Sequence, residues 1–183
     1  MSWSHHDRLR RLFHMEHAVS VSAAPAATDR VEAAFLANKR RLSQFLVQTV
    51  GDRALAEDLL QETFVAAYQA REKAEQVANL DAWLYGIARH RALRALRRTQ
   101  RMRRALTRVA SRAEAATVES PEVSGVLAVL DRVLDPGDRS LVILRYVHDM
   151  DATQLAELTG RSPAAIRKRL ERARKALAEE IER

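Results

Sequence analysis

Leu141–Leu177 reads LVILRYVHDMDATQLAELTGRSPAAIRKRLERARKAL, and this stretch decides the fold. Its pattern predicts a helix, a short break, a second helix, a tight turn and a strongly basic last helix. Gly160 stands where the second helix must end, because glycine enters the left-handed C′ conformation without a Cβ penalty. Ser162 is placed to cap the next helix, and Pro163 suits its first turn, where no backbone N–H is needed. Along that helix Ile166, Leu170, Ala173 and Leu177 recur at helical spacing and form one apolar stripe. Arg167, Lys168, Arg169, Arg172, Arg174 and Lys175 fill the remaining faces, against Glu171 alone. An ordinary amphipathic surface helix would account for the charge by itself. The Gly-x-Ser-Pro punctuation between two short helices favours a helix-turn-helix unit shaped for the major groove of duplex DNA.

The bulk composition agrees with a helical protein. The chain has 183 residues, 47% of them hydrophobic but only 5% aromatic, with few glycines and prolines. Such a balance favours an all-α chain over a sheet protein. A net charge of +7 predicts an anionic partner, nucleic acid or a membrane surface. No apolar run approaches the roughly 20 residues that span a bilayer. The polar N-terminus lacks the apolar core of a secretory signal. Cysteine is absent, which excludes disulfides, thiolate catalysis and Cys-based zinc sites. The expectation is a soluble, cytoplasmic, basic protein.

Residues 1–28 read as a tail, disordered or folding only on a partner, although Leu9, Leu12, Phe13 and Met15 make a short amphipathic piece. Its histidines, His5, His6, His14 and His17, share no regular spacing with acidic ligands, so no metal site is expected; Met15 offers an alternative start. A helix is expected from Asp29 to Val50, with Phe35, Leu42, Phe45 and Leu46 inward, broken by Gly51-Asp52. The next helix, Arg53 to Arg71, turns Leu55, Leu59 (or Leu60), Phe64 and Ala67 inward. Its other side presents Asp58, Gln61, Glu62 and Val65 at helical spacing. Two explanations of this acidic stripe are equal at this stage: compensation of the helix dipole, or docking on a basic protein surface.

After a loop, Asp81 is placed to cap a third helix, whose inner side holds Trp83, Leu84, Ile87, Ala88, Ala92 and Leu96. No acidic residue lies between Asp81 and Glu114, while Arg89, Arg91, Arg94, Arg97, Arg98, Arg101, Arg103, Arg104, Arg108 and Arg112 do. A run of one sign repels itself unless an anion neutralises it, and phosphate suits arginine, which can hold two of its oxygens. Trp83 and Tyr85 have two open roles, stacking on unpaired bases or packing in the core. Residues 99–120 lose the apolar stripe and read as a linker. Pro121 opens a helix with Val126, Leu127, Leu130 and Val133, and Asp135-Pro136-Gly137-Asp138 is a turn. Asp149 and Asp151 resemble a D-x-D metal site but fit turn and N-cap roles better. His90 and His148 fall in helical patterns, half-buried or facing DNA. With no nucleophile elbow and no phosphate-cradling glycine loop, neither catalysis nor a cofactor is expected.

Three segments in order resemble an extracytoplasmic-function (ECF) sigma factor of bacterial RNA polymerase, over about Val31 to Leu177. GDRALAEDLLQETFVAAYQ resembles the region that docks on core polymerase, DAWLYGIARHRALRALRR the part that melts and reads the minus-ten element, and the opening stretch the reader of the minus-thirty-five duplex. The resemblance implies two small helical domains, 29–98 and 121–183, joined by the flexible linker 99–120. It implies core-polymerase contacts from Asp58, Gln61, Glu62 and Phe64, which decides the reading of the acidic stripe. Minus-ten contacts are implied for Trp83, Arg89, His90, Arg94 and Arg97, and minus-thirty-five contacts for Arg161, Ser162, Ala165, Arg167, Lys168 and Arg172. The partners implied are core RNA polymerase, promoter DNA and, as in many family members, an anti-sigma factor. His90 departs from the asparagine usual in the family, and the basic start of the linker from its usual acidity. Gly86 sits inside a helix at a cost of about 1 kcal/mol against alanine. Only close backbone approach would explain it. The alternative function is a stand-alone helix-turn-helix transcriptional regulator, which predicts a dimerisation or ligand domain.

Overall fold

A computed structural model describes residues 30–109 and 125–182, and every element among them is helical. The first lobe holds α1 (Arg30–Val50), α2 (Arg53–Gln69), the single turn α3 (Arg71–Ala74) and α4 (Leu80–Val109). The second holds α5 (Gly125–Val133), α6 (Pro136–Tyr146), α7 (Ala152–Thr159) and α8 (Pro163–Ile181). The tail 1–28, Arg112, Pro121 and most of the expected linker lie outside the described residues.

Local signals account for the boundaries. Gly51, at φ +73, closes α1 through a bond from its N–H to the Val47 carbonyl, and the Asp52 carboxylate caps α2 by accepting from Leu55 N. Asp135 caps α6 through Gly137 N and Asp138 N. Asp151 caps α7 in a reciprocal box with Gln154, the N-cap role expected of it. Gly160 takes the left-handed conformation at φ +66, and Ser162 accepts from Ala165 N to start α8.

Two expectations are corrected. The cap of α4 is Asn79, whose side-chain oxygen accepts from Ala82 N at 3.0 Å. Asp81 lies in the first turn instead and accepts from the buried Asn38 at 2.8 Å, where it satisfies a polar group that would otherwise be costly to bury. The third helix also passes beyond Arg98 and continues to Val109, so the stretch expected to open the linker begins as helix.

In the first lobe α1, α2 and α4 pack on one another around Phe35, Phe45, Leu46, Leu60, Phe64 and Leu84, with the Phe35 and Phe64 rings 4.8 Å apart. In the second, α8 lays Ile166, Leu170 and Ala173 against α6 and α7, around Leu141, Ile143, Leu144 and Leu155. The lobes do not stand apart. α4 lies on α7 and α1 on α6, so the buried apolar residues form one continuous cluster.

Gly86 sits where α4 packs on α7 of the second lobe. A Cβ placed there would meet the Leu158 carbonyl oxygen at 3.4 Å and Leu158 Cβ at 3.5 Å. The helix-weakening glycine is therefore explained by α7 lying directly on α4. Alanine fits that distance and should be tolerated, whereas Gly86→Leu forces extra atoms into a packed joint. Gly86→Leu is expected to raise the radius of gyration by small-angle X-ray scattering while the far-ultraviolet helical signal is kept. An unchanged radius would mean that this contact does not hold the lobes together.

Candidate nucleic-acid interface

The acidic stripe of α2 is on the surface: Asp58, Gln61 and Glu62 are exposed. Glu62 accepts from Arg91 Nη1 at 2.9 Å, an exposed pair of the kind worth about 0–1 kcal/mol. So part of the stripe is matched within the chain, weakly enough to be exchanged for another cation. Phe64 is different. It is 5% exposed and packed between Phe35 and Tyr68, so here it supports the helix from inside and offers no surface of its own.

The expected minus-ten residues divide into two groups along α4. His90, Arg94 and Arg97 are exposed, and Trp83 is half-buried at the edge of a groove. Arg89 is turned toward the second lobe. Its Nε donates to Ser140 Oγ at 2.8 Å and its Nη2 to the Gly137 carbonyl at 3.3 Å. Burial first, then the nearby charges of Arg169 and Arg161, lower its pKa to about 10. The side chain remains cationic at neutral pH and takes neutral acceptors at this joint. Arg97 and Arg161, assigned to the two different promoter elements, line the same polar pocket as Arg89.

Tyr85 belongs to the core. It is 2% exposed and hydrogen-bonded at 3.0 Å to Nδ1 of His148, which is also buried and neither half-buried nor facing DNA. Phe45 completes the cluster, its ring centroid 5.6 Å from Tyr85 and 5.8 Å from His148. Arg41 donates to the His148 carbonyl at 3.3 Å. One lobe thus supplies Phe45, Tyr85 and Arg41, and the other supplies the imidazole. Desolvation lifts the Tyr85 hydroxyl to about 12, and lowers His148 to about 4 with help from the Arg41 charge.

On α8 the cations Arg167, Lys168 and Arg172 are exposed together, with Arg161 and Ser162 exposed at the turn before them and Ala165 half-buried. Arg169 is not among them. It turns inward, its Nε donating to Asp138 at 2.6 Å, and ties α8 to the start of α6. The periodicity of the basic helix did not separate Arg169 from its neighbours, because its acidic partner lies 31 residues away. Sequence reading likewise missed Arg139, 6% exposed, which pairs with Asp131 and donates to the Thr49 carbonyl of the first lobe. Nothing in the sequence near Arg139 marks it as a link between lobes. Among the described residues no cluster of acidic and histidine side chains could hold a metal ion, and no helix is long and apolar enough to cross a membrane.

Two measurements follow from this geometry. In the unfolded chain His148 titrates near 6.5, against about 4 in place. Between these values the unfolded state binds a proton that the folded state does not, so stability falls as pH drops from about 6.5 to about 4, by on the order of 3 kcal/mol. Urea titrations should show this fall, and His148→Gln should flatten the slope across that window. For α8, Lys168→Ala should weaken duplex binding almost uniformly across sequences and lower the salt slope by about 1. A loss confined to one sequence would instead make Lys168 a base reader.

Comparison with known proteins agrees with this two-lobe arrangement. Residues 34–102 match Sigma-70 region 2 and residues 132–177 match Sigma-70, region 4. The RNA polymerase sigma factor CarQ of Myxococcus xanthus is 33% identical over 160 residues, which cover 84% of this chain and 90% of CarQ. The ECF RNA polymerase sigma factor SigL of Mycobacterium tuberculosis is 29% identical over 164 residues, covering 85% of this chain and 90% of SigL. Among solved structures, the sigma factor RpoE in complex with the anti-sigma factor NepR from Bartonella quintana shares the fold. Its TM-score is 0.62 at 23% identity, over 82% of this chain and 96% of RpoE. CnrH in complex with the cytosolic domain of CnrY gives 0.58 at 23% identity, over 83% and 87% of the two chains. The chain belongs to the ECF-type sigma factors, promoter-specificity subunits of bacterial RNA polymerase that bind the core enzyme and promoter DNA.

Proposed function

We propose that the two jobs of this subunit are divided between faces of opposite sign. The observation that carries the reading is the exposure of Asp58, Gln61 and Glu62 on α2 in a chain of net charge +7, with the exposed cations of α4 and α8 elsewhere. The acidic face docks on core polymerase, with Phe64 bracing it from beneath. His90, Arg94, Arg97 and Trp83 take the minus-ten element, and Arg89 joins them once released from Ser140 and Gly137. Unpaired bases are captured around Glu72 to Arg94, so that strand opening is driven by binding energy alone. Arg161, Ser162, Ala165, Arg167, Lys168 and Arg172 hold the minus-thirty-five duplex, where phosphate contacts set the register.

The functional units are 29–98 and 121–183, with 99–120 connecting them as linker even though its first part is helical. The chain works in the cytoplasm, without chemistry of its own. An anti-sigma factor is a further partner: the structural neighbour RpoE is in complex with one, and the packed arrangement of the lobes offers such a protein a preformed surface. A stand-alone regulator is not favoured, since it leaves the acidic face and the match to region 2 unexplained.

Run-off transcription with purified core polymerase and a promoter library tests the assignment. Promoter-specific transcripts should disappear on joint Asp58→Lys and Glu62→Lys substitution while helical content is kept. Transcripts that survive would remove the docking role from this face. Tight duplex binding with no transcript from the unaltered protein would favour the regulator.

A further inference from the structure

An apolar groove of about 690 Å³ runs along the joint between the lobes, with Ala70, Val77, Trp83 and Ile87 on one side and Leu158 on the other. The described residues leave it uncovered, although Trp83 and Ile87 are large apolar side chains of the kind normally buried. The start of α1 lies at its rim. Arg30, the first residue of that helix, donates to the carbonyls of Ala74 and Val77 at 3.3 and 3.2 Å, and Val77 itself lines the groove. The Arg30 side chain therefore ties the first residue of α1 to the segment that lines the groove.

The preceding sequence carries a matching segment. Leu9, Leu12 and Phe13 follow the spacing of one helical face, with Met15 just beyond. Residues 16–29 separate it from Arg30, and a 14-residue chain with random-coil statistics would span roughly 20 Å on average. Tethering so close raises the local concentration to the millimolar range, so even a weak apolar face would occupy a groove beside it. Charge fits one orientation. Arg8, Arg10 and Arg11 stand at the front of the segment and Glu16 behind it, while the groove carries Glu157 on the second lobe and Arg91 on the first.

We propose that residues 9–15 dock in this groove and clamp the two lobes in their closed arrangement, so that the chain carries its own removable restraint. This rests on the sigma-factor reading in one respect: Trp83, assigned to promoter contact, would be covered by the clamp.

The absence of native cysteine makes a direct test simple. The full chain with Phe13→Cys and Ala70→Cys is compared, under mild oxidation, with Phe13→Cys paired to Ala54→Cys, an exposed site about 24 Å away along α2. The first pair should close an intramolecular disulfide at least ten-fold faster, and adding Leu9→Asp with Leu12→Asp should abolish the difference. Equal rates for the two pairs would overturn the proposal, as would a predominance of disulfide-linked dimers, which would make a second copy the occupant. In run-off assays Leu9→Asp with Leu12→Asp, on the cysteine-free chain, should raise transcript yield several-fold; an unchanged yield would refute the clamping role. The disulfide readout does not depend on transcription, so failure of the sigma-factor assignment would leave it unaffected.

Discussion

A guanidinium loses much of its hydration on burial and must recover it in hydrogen bonds, and Arg89 does so only because the second lobe is there. Ser140 and Gly137 supply the acceptors, from the first turns of α6. The same side chain lies on the helix that carries the minus-ten assignment. Arg139 repeats the device from the other side, reaching back to the Thr49 carbonyl. The two lobes are therefore joined by arginines that donate to neutral acceptors, around the ring cluster of Phe45, Tyr85 and His148. The depth of Gly86 against Leu158 makes this possible, because a larger residue would hold the helices too far apart for these bonds.

Charge is arranged with equal economy. The acids of the second lobe that approach its basic helix, Asp135 and Asp138, are used inside the fold: one caps α6 and the other binds Arg169. This leaves Arg167, Lys168 and Arg172 exposed without an opposing face, which is the condition for a surface that attracts phosphate. In the first lobe the balance is reversed on α2, where the acids face outward. The Glu62–Arg91 pair matches part of that acidic face within the chain, and Asp58 and Gln61 stay exposed beside it.

Much of the fold was legible because its signals are local. Gly160, Ser162, Pro163 and Asp151 act on neighbours within four residues, and the inward stripe of α8 repeats every turn, so both survive being read as a string. What escaped reading is set by distant partners. Asn79 and Asp81 are equally good cap acceptors in the abstract, and only Asn38, 43 positions before Asp81, decides between them. Tyr85 and His148 meet across 63 positions, and Arg41 and His148 across 107. The surface position of Asp58, Glu62, Arg167 and Lys168 was legible from helical charge patterns, while the roles assigned to them came from the family resemblance. That Phe64 faces inward and Arg89 faces the other lobe was not, because an amphipathic pattern gives a face and not the neighbour it meets.

The polar character of the joint has an energetic consequence. A dry apolar seam of the same size would separate only at large cost, whereas hydrogen bonds exchanged for water contribute roughly 0.5–1.5 kcal/mol each. Arg89, Arg41 and Ser140 are all groups that water can satisfy again once exposed. These bonds add directionality to an apolar contact, and a ligand that prefers separated lobes by about 5.5 kcal/mol would carry a balance from 1:99 to 99:1. The hydrogen bonds of the joint thus set its geometry more than its strength.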